Sequence, residues 1–144
     1  ELVFIGTVED GIKPLLAKYE GQFTLRGHVP HEKLQEEYAQ ASMFVLPSLQ
    51  EGSALVTYEA MACGLPLLVT TNTGSVSIDG AHGFVVPIRD SDVLAEKLSW
   101  MYEHQDEARD MGARGAAYIR DFTWERYAAG VIDVYRSLLP EEQA

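Results

Sequence analysis

The sequence predicts an α/β domain in which helices cover both faces of a mainly parallel sheet. Short apolar runs alternate with helix-like segments up to residue 87, and helices alone follow. The apolar runs are continuous rather than alternating, which is typical of strands buried on both faces. A chain of 144 residues has the length of one domain, so we expect residues 1–140 to form it and 141–144 to be a frayed tail.

Five apolar runs predict the strands, and turn-forming residues mark where they end. Gly6 follows the first run, Gly27 closes the second and Pro47 stops the third. The predicted strands are 2–5, 23–25, 43–46, 67–69 and 83–87.

Helix signals separate and follow these strands. Pro14 is tolerated because it falls in a first turn, and Gly64 is placed to end the helix that precedes the fourth strand. Asp90 or Ser91 can cap a helix that starts near residue 93, and Thr123 can cap the last one. The predicted helices are 12–19, 31–41, 53–63, 93–102, 105–119 and 124–138.

Composition excludes several classes of function. A formal net charge of −11 leaves no basic patch for nucleic acid. The single cysteine, Cys63, excludes an internal disulfide and any CxxC metal site. No apolar run is long enough to span a membrane, no signal peptide is visible, and we expect a cytoplasmic location.

Two carboxylates bracket the start of the predicted helix 53–63. Glu51 precedes it, and Glu59 shares a face with Leu55 because the two are four residues apart. The first amides of a helix have no intrahelical acceptor and, with the helix dipole, bind anions such as phosphate. Small residues at 52–54 allow a ligand to approach the backbone. We therefore expect a nucleotide-sugar site, with the phosphates at the helix start and a hydroxylated group near each carboxylate.

The sequence around this site resembles a known enzyme family. Pro47-Ser48, Glu51-Gly52 and the run from Glu59 to Pro66 are similar to the signature of retaining glycosyltransferases of family 4, which have the GT-B fold. Other matches follow the family's order along nearly the whole chain: Val3-Phe4-Ile5-Gly6, Leu25-Arg26-Gly27-His28-Val29, Gly83-Phe84-Val85-Val86-Pro87 and Phe122-Thr123-Trp124. The resemblance implies the C-terminal, donor-binding half of such an enzyme, a Rossmann-like three-layer sandwich with a five-stranded sheet.

The resemblance also implies roles for individual residues. Glu59 would hold the ribose hydroxyls, and Glu51, the candidate catalytic residue, would contact hydroxyls of the donor sugar. Main-chain groups near Val29 would meet the base, and the loop after Gly6 would lie near the same cleft. The donor would be a UDP-, GDP- or ADP-linked sugar, with no cofactor and no metal ion. Backbone groups that would meet the sugar and the diphosphate belong to Gly52, Ser53, Ala54, Leu55 and Val56.

The chain departs from the family pattern in three places. Ser53 and Ala54 stand where the family usually has an aromatic residue and then glycine, so the Ala54 methyl is expected to narrow the approach to the sugar. Residues 71–76 form a loose version of the family's glycine-rich loop. The family's first strand and the arginine and lysine that clamp the diphosphate have no counterpart, so we expect a fragment with little or no activity alone.

The missing strand affects the expected sheet. The family's order 3-2-1-4-5-6 becomes a flavodoxin-like 2-1-3-4-5 if the gap closes and the first strand here pairs with the third. Otherwise the gap stays open, or a second copy fills it by strand exchange and forms a dimer. The resemblance implies an N-terminal acceptor-binding domain, absent from this chain, as a further partner.

Two other functions are compatible with the sequence. One is a nucleotide or nucleotide-sugar binding module without turnover. The other is a flavodoxin-like signalling domain with Glu9 and Asp10 as its acidic cluster, although no lysine follows the fourth or fifth strand. A dinucleotide dehydrogenase is disfavoured because residues 6–11 do not fit GxGxxG.

Overall fold

The computed structural model describes residues 1–139, and it has the predicted α/β class with parallel strand pairs. The chain divides into two compact units, Glu1–Gln40 and a second that begins at Ala41. The predicted tail at 141–144 lies outside the described residues.

The first unit is a parallel two-stranded sheet with short helices. Strand β1 (Val3–Ile5) pairs with β2 (Thr24–Gly27), and the link between them contains helix α1 (Lys13–Leu16). A 3-10 turn at Ala17–Tyr19 continues α1, and α2 (His31–Gln40) ends the unit.

The second unit contains a three-stranded parallel sheet in the order β3-β4-β5. Strand β3 is Phe44–Leu46, β4 is Leu67–Thr70 and β5 is Gly83–Val86. The central strand β4 is buried along its whole length, as expected for a continuous apolar run between two neighbours. Its Leu68 is opposite Val45 on one side and Phe84 on the other.

Four helices complete the second unit: α3 (Leu55–Ala62), α4 (Ser91–Glu103), α5 (Gln105–Ile119) and α6 (Trp124–Leu138). The core forms where β4 and β5 meet α4 and α5, because Leu68, Val86, Met101 and Ala108 form one buried cluster. Helix α5 also packs closely on the end of α3. A Cβ added at Gly112 would lie 2.0 Å from the carbonyl oxygen of Gly64, so only glycine permits this approach.

A buried histidine secures the end of the segment between β4 and β5. His82 is 5% exposed, its Nδ1 accepts a hydrogen bond from the Ile78 amide at 3.3 Å, and its ring packs on Tyr118 with centroids 4.6 Å apart. The Arg114 guanidinium donates to the neighbouring carbonyl of Ala81 at 2.9 Å. Burial, and secondly the charge of Arg114, lower the pKa of His82.

The positions of the predicted elements agree with the structure to within two residues. The order 2-1-3-4-5, one of the arrangements that the sequence left open, is not formed by the described residues, which pair as β1-β2 and as β3-β4-β5. That order would pair β1 with β3, but each of these two strands has only three residues and offers few ladder hydrogen bonds. All three residues of β1 are exposed, whereas the order 2-1-3-4-5 requires β1 to be flanked on both sides.

No helix within residues 1–139 combines the length and apolar character needed to cross a bilayer.

Candidate active site

The candidate residues of the second unit follow strand β3 and lead into helix α3. Glu51, Gly52 and Ser53 are exposed loop residues, and Ala54 is extended, with φ −77° and ψ 91°. Helix α3 therefore starts at Leu55, two residues later than predicted. Ala54 is 6% exposed, so the methyl group expected to narrow the sugar site is largely covered.

The N-terminus of α3 has no side-chain cap. Thr57 makes the first internal contacts, both to the carbonyl of Ala54: its amide lies 2.9 Å and its Oγ1 lies 2.7 Å from that oxygen. The amides of Leu55 and Val56 precede this turn and have no acceptor within the helix. By contrast, Asp90 caps α4 through the Val93 amide and Thr123 caps α6 through the Arg126 amide. The start of α3 is thus available to an anion.

Glu59 lies one turn inside α3 and is half-buried, whereas Glu51 is exposed before the helix. Cys63 follows Glu59 by one turn, and desolvation and the negative charge of Glu59 raise the pKa of the Cys63 thiol. Cys63 therefore remains a neutral thiol near pH 7 and is a poor nucleophile. The oxygens of the Glu59 carboxylate can accept hydrogen bonds from hydroxyls.

The loop that carries Glu51 is held by the residues that end β4. The Glu51 amide donates to the carbonyl of Asn72 at 2.9 Å, and Asn72 Nδ2 donates to the carbonyl of Leu49 at 3.0 Å. Thr70 Oγ1 donates to the carbonyl of Ser48. The position of the Glu51 backbone is therefore set by a segment about 20 residues further along the chain.

Gly74 brings the two loops into direct backbone contact. Its φ is 64°, and an added Cβ would lie 2.5 Å from the Gly52 carbonyl oxygen and 3.1 Å from Ser53 Cα. Both the left-handed conformation and the lack of space require glycine at this position. The predicted glycine-rich segment 71–76 thus packs against the Gly52 loop.

Two candidate residues, Gly6 and Val29, belong to the first unit. Gly6 directly follows β1, has φ 129° and donates its amide to the Gly27 carbonyl at 2.8 Å. Val29 is half-buried and lies two residues after β2. Both therefore lie at the carboxyl ends of strands, where parallel sheets bind ligands.

Other features of the described chain do not add chemistry to the site. A cavity of about 470 Å³ in the first unit is lined by residues of α1, β2 and the link between them, and none of the candidate residues lines it. Among residues 1–139, no group of three or more His, Cys, Asp or Glu side chains is placed to hold a metal ion.

The family assignment follows from comparison with known sequences. Residues 1–104 match the sequence model of the family "Glycosyl transferases group 1". The chain belongs to this family. The predicted resemblance to glycosyltransferases is therefore confirmed, and it covers both units described above.

Individual relatives extend the match. The chain is 33% identical over 119 residues to O-antigen chain mannosyltransferase B of Escherichia coli. This alignment covers 83% of this chain and 31% of that protein. The chain is 29% identical over 140 residues to alpha-maltose-1-phosphate synthase of Mycolicibacterium smegmatis, covering 91% of this chain and 36% of the relative. The chain therefore spans about a third of the length of these relatives.

Solved structures show the same fold. Sucrose-phosphate synthase from Thermosynechococcus elongatus superimposes with a TM-score of 0.82 at 29% identity, over 95% of this chain and 38% of that one. Anabaena HepE, solved in complex with UDP-glucose, gives a TM-score of 0.77 at 17% identity, over 94% of this chain and 40% of that one. These likenesses confirm the predicted Rossmann-like fold of GT-B type.

The residues that brace the Glu51 loop were not predicted from the sequence. Thr70 and Thr73 are buried polar residues, and Asn72 contacts the loop with both its side chain and its carbonyl. A signal was present, because 71–76 contains four polar side chains directly after an apolar strand. Their partners, however, are backbone carbonyls that no motif reveals.

Proposed function

We propose that this chain is the donor-binding half of a glycosyltransferase that transfers a hexose from a nucleotide-sugar to an acceptor with retention. The observation that carries the proposal is the uncapped N-terminus of α3, flanked by Glu51 and Glu59, in a chain of the glycosyl transferases group 1. HepE, a structural neighbour, binds UDP-glucose, which supports a UDP-linked donor.

Three groups of the site each bind a different part of the donor. The amides of Leu55 and Val56 and the positive end of the α3 dipole attract the diphosphate. Glu59, one turn further, accepts hydrogen bonds from the ribose hydroxyls. Glu51, before the helix, accepts hydrogen bonds from hydroxyls of the sugar and orients its reacting carbon.

In this proposal the bond between the sugar and the diphosphate breaks as the glycosidic bond to the acceptor forms. The leaving diphosphate gains negative charge, and the helix N-terminus stabilises that charge. The net charge of −11 means that the whole-molecule field opposes an anionic donor, so binding depends on these local groups. An N-terminal acceptor-binding domain supplies the acceptor, and a cytoplasmic location fits a soluble nucleotide-sugar pool. The contributions of Gly6 and Val29, and a strand-exchanged dimer, stay predictions.

The first test is calorimetric titration with UDP, GDP and ADP. We expect wild type to bind one of them and Glu59→Gln to bind it about tenfold or more weakly, because a charged hydrogen-bond acceptor for the ribose is lost. Glu107→Gln is the matched control, since it makes the same change of charge at an exposed site on α5 and should leave affinity within about twofold of wild type.

Equal affinity of wild type and Glu59→Gln would contradict the placement of the ribose at α3. Absence of binding by all three nucleotides at millimolar concentration would contradict the proposed function itself. A further outcome is that the chain binds a nucleotide-sugar and yet transfers no sugar when it is joined with the acceptor-binding half. That result would instead identify the non-catalytic binding module that the sequence also allows.

A further inference from the structure

We propose that the Thr70–Thr73 hydroxyl pair is a positioning element that sets the orientation of the donor sugar by fixing the loop that carries Glu51. The inference rests on the proposed function, because it gives two residues at the end of β4 a task in sugar binding. Neither threonine belongs to α3 or to the loop that leads into it, and both are buried, at 4% and 0% exposure.

The two hydroxyls of the pair share three hydrogen-bond contacts. Thr70 Oγ1 contacts the Ser48 carbonyl, the two Oγ1 atoms are 2.9 Å apart, and Thr73 Oγ1 lies 3.1 Å from the Leu46 carbonyl. Two hydroxyl protons cannot serve all three contacts. The Ser48 carbonyl can only accept, so Thr70 donates there, and Thr73 donates either to Thr70 or to Leu46.

Thr73 also makes two hydrogen bonds with the backbone of Thr70. Its Oγ1 accepts the Thr70 amide at 3.2 Å, and its amide donates to the Thr70 carbonyl at 3.1 Å, so the two residues form a closed turn. When Thr73 donates to Thr70, the two hydroxyls also polarise each other and strengthen the bond to Ser48. Loss of the Thr73 hydroxyl would leave the buried Thr70 amide without this acceptor.

The threonine pair influences the position of Glu51 through contacts with the backbone of its loop. Ser48 lies three residues before Glu51, and the neighbours of Thr73 provide the other contacts: Asn72 holds the Leu49 carbonyl and the Glu51 amide, and Gly74 packs on Gly52. Thr73 stands between these two neighbours and anchors them to the sheet. A shift at Thr73 therefore moves the Glu51 backbone, while Glu59 stays in its place on α3.

The experiment compares Thr73→Val, which keeps the shape and removes the hydroxyl, with Thr73→Ser, which restores it. Ser77→Ala is the matched control, because Ser77 Oγ is a buried hydroxyl of the same segment for which the described residues provide no hydrogen-bond partner. The ligands are whichever of UDP, GDP and ADP wild type binds, and the glucose conjugate of that nucleotide. Amide hydrogen exchange is measured on the same four proteins.

We expect Thr73→Val to weaken binding of the glucose conjugate about tenfold more than binding of the nucleotide alone, because Glu51 contacts the sugar and is displaced. The Glu51 amide should exchange faster in Thr73→Val while the amides of β4 keep their wild-type rates. Thr73→Ser and Ser77→Ala should resemble wild type in both measurements.

Equal losses of affinity for the nucleotide and its glucose conjugate would show that the threonine pair contributes to stability alone. An equal rise of amide exchange in β4 would show the same. Either result would overturn the inference and leave the proposed function intact. A wild type that binds none of the nucleotides would overturn both. If Thr73→Val does not fold, Asn72→Ala is used, because it removes an exposed side-chain contact to the same loop; an unchanged ratio of affinities in that variant would also overturn the inference.

Discussion

The two sheets of this protein each contain a continuous apolar strand but differ in burial. In the first unit, Leu25 at the middle of β2 is 47% exposed, and all of β1 is exposed. In the second unit, Leu68 at the middle of β4 is fully buried between two strands and against α4 and α5. An apolar run therefore predicts a strand, but its stabilising effect depends on what covers it.

The largest expected effect comes from truncating these two leucines. Leu68→Ala should lower the free energy of unfolding by about 2–5 kcal/mol, because it removes buried methyl groups and leaves a cavity. Leu25→Ala should lower it by less than about 1 kcal/mol, because much of that side chain is already in contact with water. Urea unfolding of both variants measures the difference. Similar losses of unfolding free energy would show that β2 is covered in solution and that the two sheets do not differ in burial.

A pair of helix glycines sharpens the comparison within the second unit. Gly112→Ala should destabilise the protein by about 1–3 kcal/mol, because the Cβ of the new alanine would overlap the Gly64 backbone and push α5 away from α3. Gly130→Ala, in the exposed helix α6, meets no atom within 4 Å and should stabilise by up to about 1 kcal/mol through helix propensity. Thermal unfolding should show shifts of opposite sign. Shifts of the same sign would contradict the packing of α5.

The pH dependence of stability tests the buried histidine. The pKa of His82 is lowered in the folded state, so between that pKa and the unfolded value of about 6.5 the unfolded chain binds more protons. Stability should therefore decrease as the pH falls below about 6.5, by at most about 1.4 kcal/mol per pH unit from this group.

The histidine effect is measured as the difference between wild type and His82→Asn in denaturant unfolding at several pH values. His82→Asn should flatten the slope below pH 6.5, and His28→Asn, which changes an exposed histidine of the first unit, is the control expected to keep it. An unchanged slope in His82→Asn would show that other groups cause the acid sensitivity.

The smallest effect is expected for the ion pair between Arg26 and Glu37 in the first unit. Arg26 Nε lies 3.7 Å from Glu37 Oε2, and the two side chains are 48% and 23% exposed. Arg26→Gln should change the free energy of unfolding by less than about 1 kcal/mol, and added salt should reduce the difference. Denaturant unfolding at low and high salt measures it. A larger, salt-insensitive loss would mean that this pair is desolvated.

Local chemistry is the part of the structure that the sequence determined by itself. Asp90 and Thr123 cap helices because a side-chain oxygen reaches an amide three residues away, and Gly64 ends α3 with φ 78° because glycine adopts that conformation without strain. The position of Glu51 and Glu59 around a helix start was predictable for the same reason. These interactions join residues close in sequence, so a single segment is sufficient to reveal them.

Contacts between distant segments were decided only by the tertiary structure. The hydroxyls of Thr70 and Thr73 lie within hydrogen-bond distance of carbonyls that are 22 and 27 residues away, and nothing local to either threonine specifies these partners. The start of α3 at Leu55 was likewise not predicted, and the sequence left open whether the two sets of strands pair separately. Burial and hydrogen-bond partners depend on which segment the fold brings alongside, and that choice is made by the packing of the whole chain.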